Sequence, residues 1–305
     1  MKIYTLTLSP AYDVHASAAE FAAFHENLAT VTTREAGGKG VNISRALAAG
    51  GATSTAVVVL GKENAEEFRQ ALDAAGLCSL IFYKEGRIRE NLTLHCPGVP
   101  ETRISFTGFS VDGETLNQVR SAMEIGEDTI VTFTGRVPAG IDMVQVKAFL
   151  KELQQKGAKI VLDSRSFGLE DILEVRPWLI KPNQEEISML FGCKIETMEQ
   201  AMEKAQVFAR AGIENVMVSL GGDGALLICA GTIFRAIPPR IQPVSTIGAG
   251  DSTIAGFIAA AQQGLLPEEC LQWATAYGTA ACLTEGSQPP RWTDVRSILT
   301  NVEIL

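Results

Sequence analysis

Short apolar runs recur along the chain, and several are followed by a longer segment of helical periodicity that closes on glycine. Lys2–Leu8, Ser54–Leu60, Thr129–Phe133, Lys159–Leu162, Trp178–Ile180 and Val216–Leu220 read as buried strands. Between them, Asn42–Ala49 stops at Gly50-Gly51, Lys62–Ala75 at Gly76 and Asp142–Gln155 at Gly157, the residue that most easily leaves a helix with positive φ. Strands that alternate with helices select a parallel sheet covered on both faces, and right-handed crossovers make it a doubly wound α/β sandwich of three layers.

Two stretches break this alternation. Leu28–Arg34 and Asn91–Phe106 carry period-2 polarity and fit strands that leave the main sheet to form a small β-lid, or surface hairpins with no role. With no repeat, low-complexity tract or Pro/Ser linker, residues 1–305 read as one domain, with lid strands inserted at about 14–36 and 88–107.

Charge narrows the partners. Twenty-six Lys and Arg against 35 Asp and Glu leave a net charge of −9, a field that repels nucleic acid and anionic membrane. An anionic substrate then needs local arginines and lysines. Met1–Leu8 alternates like a strand and not like a signal peptide, and Ile254–Ala261, the longest helical apolar run, is too short to span a bilayer. Cys78, Cys96, Cys193, Cys229, Cys270 and Cys282 are scattered without metal-binding spacing, so they read as reduced, packed thiols of a cytoplasmic protein.

The strongest local signal is Thr246-Ile247-Gly248-Ala249-Gly250-Asp251-Ser252, which follows a β-rich segment ending at Ser245 and leads into the apolar helix Ile254–Gln262. Glycines at a helix start let a ligand approach backbone N–H groups, and the positive helix end suits an anion. Asp251 there could take a proton from a hydroxyl, or could be an ordinary N-cap. Lys181-Pro182-Asn183-Gln184-Glu185-Glu186 follows a strand at the edge where open α/β sheets bind ligands. Asn183 and Glu186 could hold water on a hard cation or simply form a capping box. Ser219-Leu220-Gly221-Gly222-Asp223-Gly224 could cradle phosphates or be a tight connection. Gly37-Gly38-Lys39-Gly40-Val41-Asn42 is a further glycine-rich helix start that could contact a polyol. A P-loop and an intact dinucleotide-binding fingerprint are both absent.

Taken together and in this order, these segments resemble the ribokinase-like superfamily and, within it, the phosphofructokinase-B family of carbohydrate kinases. Met1–Asp13 and Arg89-Glu90-Asn91 add to a likeness that covers nearly the whole chain, closest to the fructose-phosphate and tagatose-phosphate kinase branch. The resemblance implies a three-layer α/β/α sandwich with a mostly parallel sheet and a β-lid, often clasped to the lid of a second subunit in a homodimer. It implies ATP, Mg²⁺ and room for a monovalent cation, with a ketohexose phosphate such as fructose 1-phosphate, fructose 6-phosphate or tagatose 6-phosphate as acceptor. On it, Asp251 is the general base, and Gly248, Ala249 and Gly250 form the anion hole. Lys181, Ser219, Gly221, Gly224 and Gly278 line the ATP site, and Asn183 and Glu186 organise Mg²⁺ through water. Asp13, Gly38, Lys39 and Asn42 hold sugar hydroxyls, while Arg89 reaches a substrate phosphate.

Some positions depart from that pattern. Thr134-Gly135-Arg136-Val137-Pro138-Ala139-Gly140 puts Arg136 where the branch commonly has a phosphate-contacting serine, and Leu28 aligns where it usually presents a lid arginine. Asp163-Ser164-Arg165-Ser166-Phe167 adds Arg165 as another cation near the expected site. Arg136 is thus a substrate-binding candidate, since one guanidinium fork can take a phosphate. A kinase of an unphosphorylated sugar or nucleoside, and a sugar-phosphate sensor without turnover, are the competing functions.

Overall fold

The computed structural model describes residues 1–305. The chain divides between two sheets almost at once: β1 (Lys2–Thr7) enters the main sheet, while β2 (Ala11–Ser17) leaves it. β3 (Thr30–Gly37) returns beside β2 and runs into α1 (Lys39–Ala49). β4 (Thr55–Gly61), α2 (Ala65–Ala74) and β5 (Cys78–Lys84) resume the main sheet, and the hairpin β6 (Arg89–Cys96) and β7 (Val99–Ser105) leaves it again. The alternation continues through α3 (Gly113–Ala122), β8 (Thr129–Thr134), α4 (Met143–Gln155), β9 (Lys159–Asp163), α5 (Leu169–Val175) and β10 (Leu179–Ile180). After α6 (Gln184–Phe191) and α7 (Met198–Arg210) come β11 (Asn215–Ser219), β12 (Ala225–Cys229) and β13 (Thr232–Ile237). The chain ends with α8 (Ala249–Gln262), α9 (Pro267–Ala281), α10 (Trp292–Leu299) and β14 (Glu303–Ile304).

The main sheet has ten strands in the order β14-β13-β12-β11-β10-β9-β8-β1-β4-β5. Pairing is parallel from β11 to β5 and antiparallel at the β12–β14 edge. Successive residues of a strand point to opposite faces, and both faces are buried. In β9, Ile160 and Leu162 face the α3–α7 layer, and Val161 faces the layer that holds α1, α8, α9 and α10. The expected three-layer sandwich is therefore present. The second sheet, β3-β2-β6-β7, is the lid, with β2 and β6 parallel.

Helix α8 is enclosed along most of its length, with every residue from Asp251 to Ala260 buried. It crosses α9 so closely that a Cβ on Gly256 would stand 2.6 Å from the Trp273 carbonyl oxygen. No side chain fits between the two helices at that point.

Several sequence expectations need correction. The segment before the GAGD motif is not β-rich up to Ser245: β13 ends at Ile237 and an irregular stretch follows. Asn91–Phe106 is two strands joined by a turn at Gly98, and Leu28 lies before β3 begins at Thr30. The lid also takes Ala11–Ser17, a strand hidden in the N-terminal segment because it follows β1 after only a few residues. Cys78 and Cys193 are exposed and not packed; all six cysteines are unbonded.

Candidate active site

The carboxyl ends of β1 and β8, the loop after β9, the N-terminus of α1 and the root of the lid line one cleft, and the N-terminus of α8 stands behind it. Gly40 sits where a Cβ would be 2.4 Å from the Leu6 carbonyl oxygen, so only glycine lets α1 start directly on the end of β1. The Val41 N–H then donates to Thr7 Oγ1 at 3.0 Å, fixing that contact. At the other helix, Gly248 adopts φ +77°, turns the chain into α8 and is its N-cap, with no side chain capping it. Asp251 is therefore not an N-cap. It lies inside the first turn, where the Ala249 N–H donates to the Thr246 carbonyl oxygen at 3.4 Å and the Gly250 and Asp251 N–H groups have no protein acceptor, an arrangement suited to an anion.

Asp251 is buried, and its Oδ2 accepts from Asn42 Nδ2 at 2.9 Å. No protein group bonds Oδ1. Burial pushes the carboxyl up to about 6, against the pull of Lys39 and the Asn42 hydrogen bond; Asp163 adds to the rise. A carboxylate near neutrality is suited to take and return a proton.

Beside it Lys39 and Lys181, from two of the sequence motifs, meet an acid to which those motifs assign no role. Asp163, at the end of β9, is buried and accepts from Lys39 Nζ at 2.7 Å, with Lys181 Nζ at 3.9 Å from its other oxygen. Burial works against the Asp163 charge, but the Lys181 and Lys39 ammonium groups outweigh it and hold the carboxyl below its ordinary value. Burial likewise opposes the Lys39 charge, and Asp163 and Asp251 overcome it, so Lys39 is raised. Lys181 also stands close to α8: a Cβ on Gly250 would be 3.2 Å from its Nζ. Asp163 closes a buried apolar strand at the ligand-binding edge of a parallel sheet, and that placement was the available signal for it.

The cleft itself has a volume of about 280 Å³. Six of the predicted acceptor-site residues line it: Asp13, Gly38, Lys39, Asn42, Arg89 and Arg136. Thr7, Ser9, Asn91 and Arg165 line it as well and were not among the predicted site residues. Asp251 stands one hydrogen bond behind the wall, through Asn42. Asn91 bridges Arg89 and Asp13, accepting from Arg89 Nη1 at 2.7 Å and donating to Asp13 Oδ1 at 2.8 Å. Burial raises Asp13, and the Asn91 hydrogen bond and Arg89 charge only partly offset it. Burial and the like charge of Arg136 lower Arg89, and its Nε is buried without a partner. Arg136 is exposed and makes no ion pair or hydrogen bond. Two guanidinium groups with open donors in one cleft call for an anion.

The predicted nucleotide-site residues lie on the same sheet edge. Ser219 forms a parallel bridge with Asn183, which sets the glycine-rich turn Gly221–Gly224 beside the start of α6. Gly278 is not on the cleft. It is buried in the α8–α9 contact, where a Cβ would stand 2.2 Å from Thr253 Oγ1, so the helix packing requires glycine there. Asn183 and Glu186 form the capping box: Asn183 Oδ1 accepts from the Glu186 N–H at 2.8 Å, and Glu186 Oε2 from the Asn183 N–H at 3.0 Å. Glu186 Oε1 accepts from Arg165 Nε at 3.0 Å.

No three His, Cys, Asp or Glu side chains gather into a metal cage. Magnesium does not require one, since it keeps its waters and is held by one or two carboxylates together with substrate phosphates. Glu186 borders a pocket beside the cleft but spends Oε1 on Arg165 and Oε2 on the Asn183 N–H, so it would reach such an ion through water and not by direct ligation.

Comparison with known proteins agrees with this geometry. Residues 11–294 match the model of the pfkB family carbohydrate kinases. The 1-phosphofructokinase of Escherichia coli K12 is 32% identical over 289 residues, 94% of this chain and 91% of the relative. That of Borreliella burgdorferi is 30% identical over 304 residues, 99% and 98% of the two chains. The structure of phosphofructokinase-2 from Escherichia coli in complex with potassium superposes with a TM-score of 0.90 at 26% identity, covering 98% of each chain.

Proposed function

This chain belongs to the pfkB family of carbohydrate kinases, and from that premise we propose how its residues divide the work of phosphorylating a ketohexose phosphate. The protein is an ATP-dependent phosphotransferase with an alcohol group as acceptor. Fructose 1-phosphate is the acceptor to test first, since relatives similar over nine-tenths of this chain are named for it. The observation that carries a phosphorylated acceptor is the pair Arg89 and Arg136 in the cleft that leads to Asp251, Arg136 with no protein partner and Arg89 with no protein acceptor on Nη2.

Asp251 Oδ1 takes the proton of the acceptor hydroxyl, while Asn42 holds Oδ2 and keeps the carboxylate aimed. As the phosphoryl group moves from ATP to the acceptor oxygen, the first-turn N–H groups of α8 at Gly248, Ala249 and Gly250 face its equatorial oxygens. Lys181, packed against Gly250, lends positive charge to the same place. Asp13, Lys39 and Asn42 orient the sugar hydroxyls, and Ser219, Gly221 and Gly224 border the nucleotide. A divalent cation, Mg²⁺ in this reading, neutralises phosphate charge when bound, and Asn183 and Glu186 would hold its water. A monovalent cation is a further cofactor of this reading, tested by activation with K⁺ against Na⁺.

We read the lid as the face of a homodimer. Leu28, Val31, Ile104 and Phe106 are exposed apolar residues on or beside its strands, which supports burial against a second lid. The test of the acceptor is ADP release from Mg-ATP with fructose 1-phosphate, fructose 6-phosphate, tagatose 6-phosphate and their unphosphorylated sugars, ribose and nucleosides, with Asp251→Asn as the blank. Turnover confined to phosphorylated ketoses is the expected result. Turnover only on neutral compounds would select the sugar or nucleoside kinase, and none at all, with ligand still bound, the sensor.

A further inference from the structure

Arg165 stands where the cleft and the start of α6 meet. It lines the acceptor cleft with Arg89 and Arg136, and it also borders the pocket that contains Asp163 and Glu186. Two of its donors are committed: Nε to Glu186 Oε1 at 3.0 Å and Nη2 to Glu185 Oε2 at 3.2 Å. A guanidinium carries five N–H groups in one plane, so both Nη1 donors and the second Nη2 donor remain. Two of those three, one on each Nη, point together off the outer end of the fork, the end that can take two oxygens of one phosphoryl group side by side. The carboxylates meanwhile fix the group's direction, which reduces the entropy lost when a ligand binds.

The loop that carries Arg165 is also tied to the loop that carries Arg136. Gly135 N–H donates to the Asp163 carbonyl oxygen at 3.1 Å, and Val137 N–H to Ser166 Oγ at 3.0 Å. The two arginines therefore enter the cleft from one clamped pair of loops on the body of the protein, while Arg89 enters from the lid. We propose that Arg165 is a specificity-determining residue that grips a phosphoryl group in the cleft with its outer donors while Glu186 and Glu185 hold its inner edge. This rests on the kinase reading above and adds to it a contact from the body that the motif segments do not contain. The phosphoryl group belongs either to the acceptor or to ATP, and the experiment separates these.

The test compares Arg165→Ala and Arg165→Lys with the parent, using Michaelis constants and calorimetric Kd for fructose 1-phosphate and for ATP, with thermal melts as a check on folding. If the acceptor phosphate is gripped, Arg165→Ala raises KM and Kd for fructose 1-phosphate about tenfold or more, as expected for loss of a charged hydrogen-bonded contact. In that case the constants for ATP and for unphosphorylated fructose stay in place, Arg165→Lys recovers part of the loss, and added guanidinium ion rescues the alanine variant. If the nucleotide is gripped, the same pattern appears on ATP instead. Unchanged constants for both ligands, or a change confined to kcat and melting temperature, would overturn the inference and leave Arg165 as a brace for α6. Turnover in the parent with silent variants sinks this inference alone; a parent without turnover sinks the kinase reading and this inference together.

Discussion

The two ends of the cleft handle charge in opposite ways. At the inner end, Asp251, Asp163, Lys39 and Lys181 are closely packed, and each charge already has a neighbour of opposite sign within the protein. At the outer end, Arg136 is exposed without a partner and Arg89 has an unpaired Nε. A reacting centre benefits from charges that need no reorganisation during transfer, so its groups are paired and rigid beforehand. A recognition site keeps donors open, because a ligand that completes them is strongly preferred over one that leaves them empty. Arg165 joins the two ends, paired on one edge and open on the other.

If this contrast holds, the largest effect belongs to Asp251→Asn. It should cost on the order of 100-fold or more in kcat while Kd for the acceptor and ATP moves little. Its melting temperature should not fall. A folded-state pKa raised to about 6 means the folded chain binds the proton more tightly than the unfolded one, so stability from this group falls as pH rises through 4 to 6. Asparagine removes that strain above pH 6. Equal losses in kcat and stability would show that Asp251 is merely structural.

Next in size is Lys39→Met, which leaves Asp163 buried beside Lys181 alone. Asp163 is buried but Lys39 is 36% exposed and Lys181 remains beside the carboxylate, so the loss should be about 1–2 kcal/mol, read as a lower denaturant midpoint at unchanged slope. Lys39 also pulls Asp251 down, so any activity that remains should show its acid limb shifted to higher pH. In the parent that limb lies at about 6, with kcat falling below it as Asp251 takes up its proton. A flat profile between pH 5 and 8 would exclude Asp251 as the base.

At the outer end, Arg136→Ala should raise KM for a phosphorylated ketose about tenfold with kcat held within a few-fold, the mark of binding lost equally from ground and transition state. The smallest effect is ionic strength. Raising salt from 0.05 to 0.5 M should raise that KM several-fold, about as expected for exposed charges, and leave the inner-end pH limb in place.

What the sequence revealed follows the same division. GAGD and GGKG were legible because a tight turn, a close backbone approach and a helix start are local demands, met by glycines within a few residues. The buried strands were legible for the same reason, since apolar runs such as Val57–Leu60 state their burial outright. Asp163 was not legible, because its partner Lys39 is 124 residues away and only the sheet brings them together. Arg165 was noted as a cation near the site, but its grip on Glu186 depends on β9 and β10 being neighbours. The capping reading of Asn183 and Glu186 is realised and the N-cap reading of Asp251 is not. That difference turns on where each helix begins, which a few residues of sequence leave open. Gly278 is read with the nucleotide from the family resemblance, and its close approach to Thr253 on α8 is a tertiary contact that no local pattern states.

The most direct test of the division is the ratio of kcat/KM for fructose 1-phosphate to that for fructose, measured in the parent and in the double variant Arg89→Ala/Arg136→Ala. The account predicts a ratio far above one in the parent that falls toward one in the variant, with turnover of fructose persisting because the inner end is intact. A parent ratio near or below one, or a variant that loses both substrates equally, would contradict it.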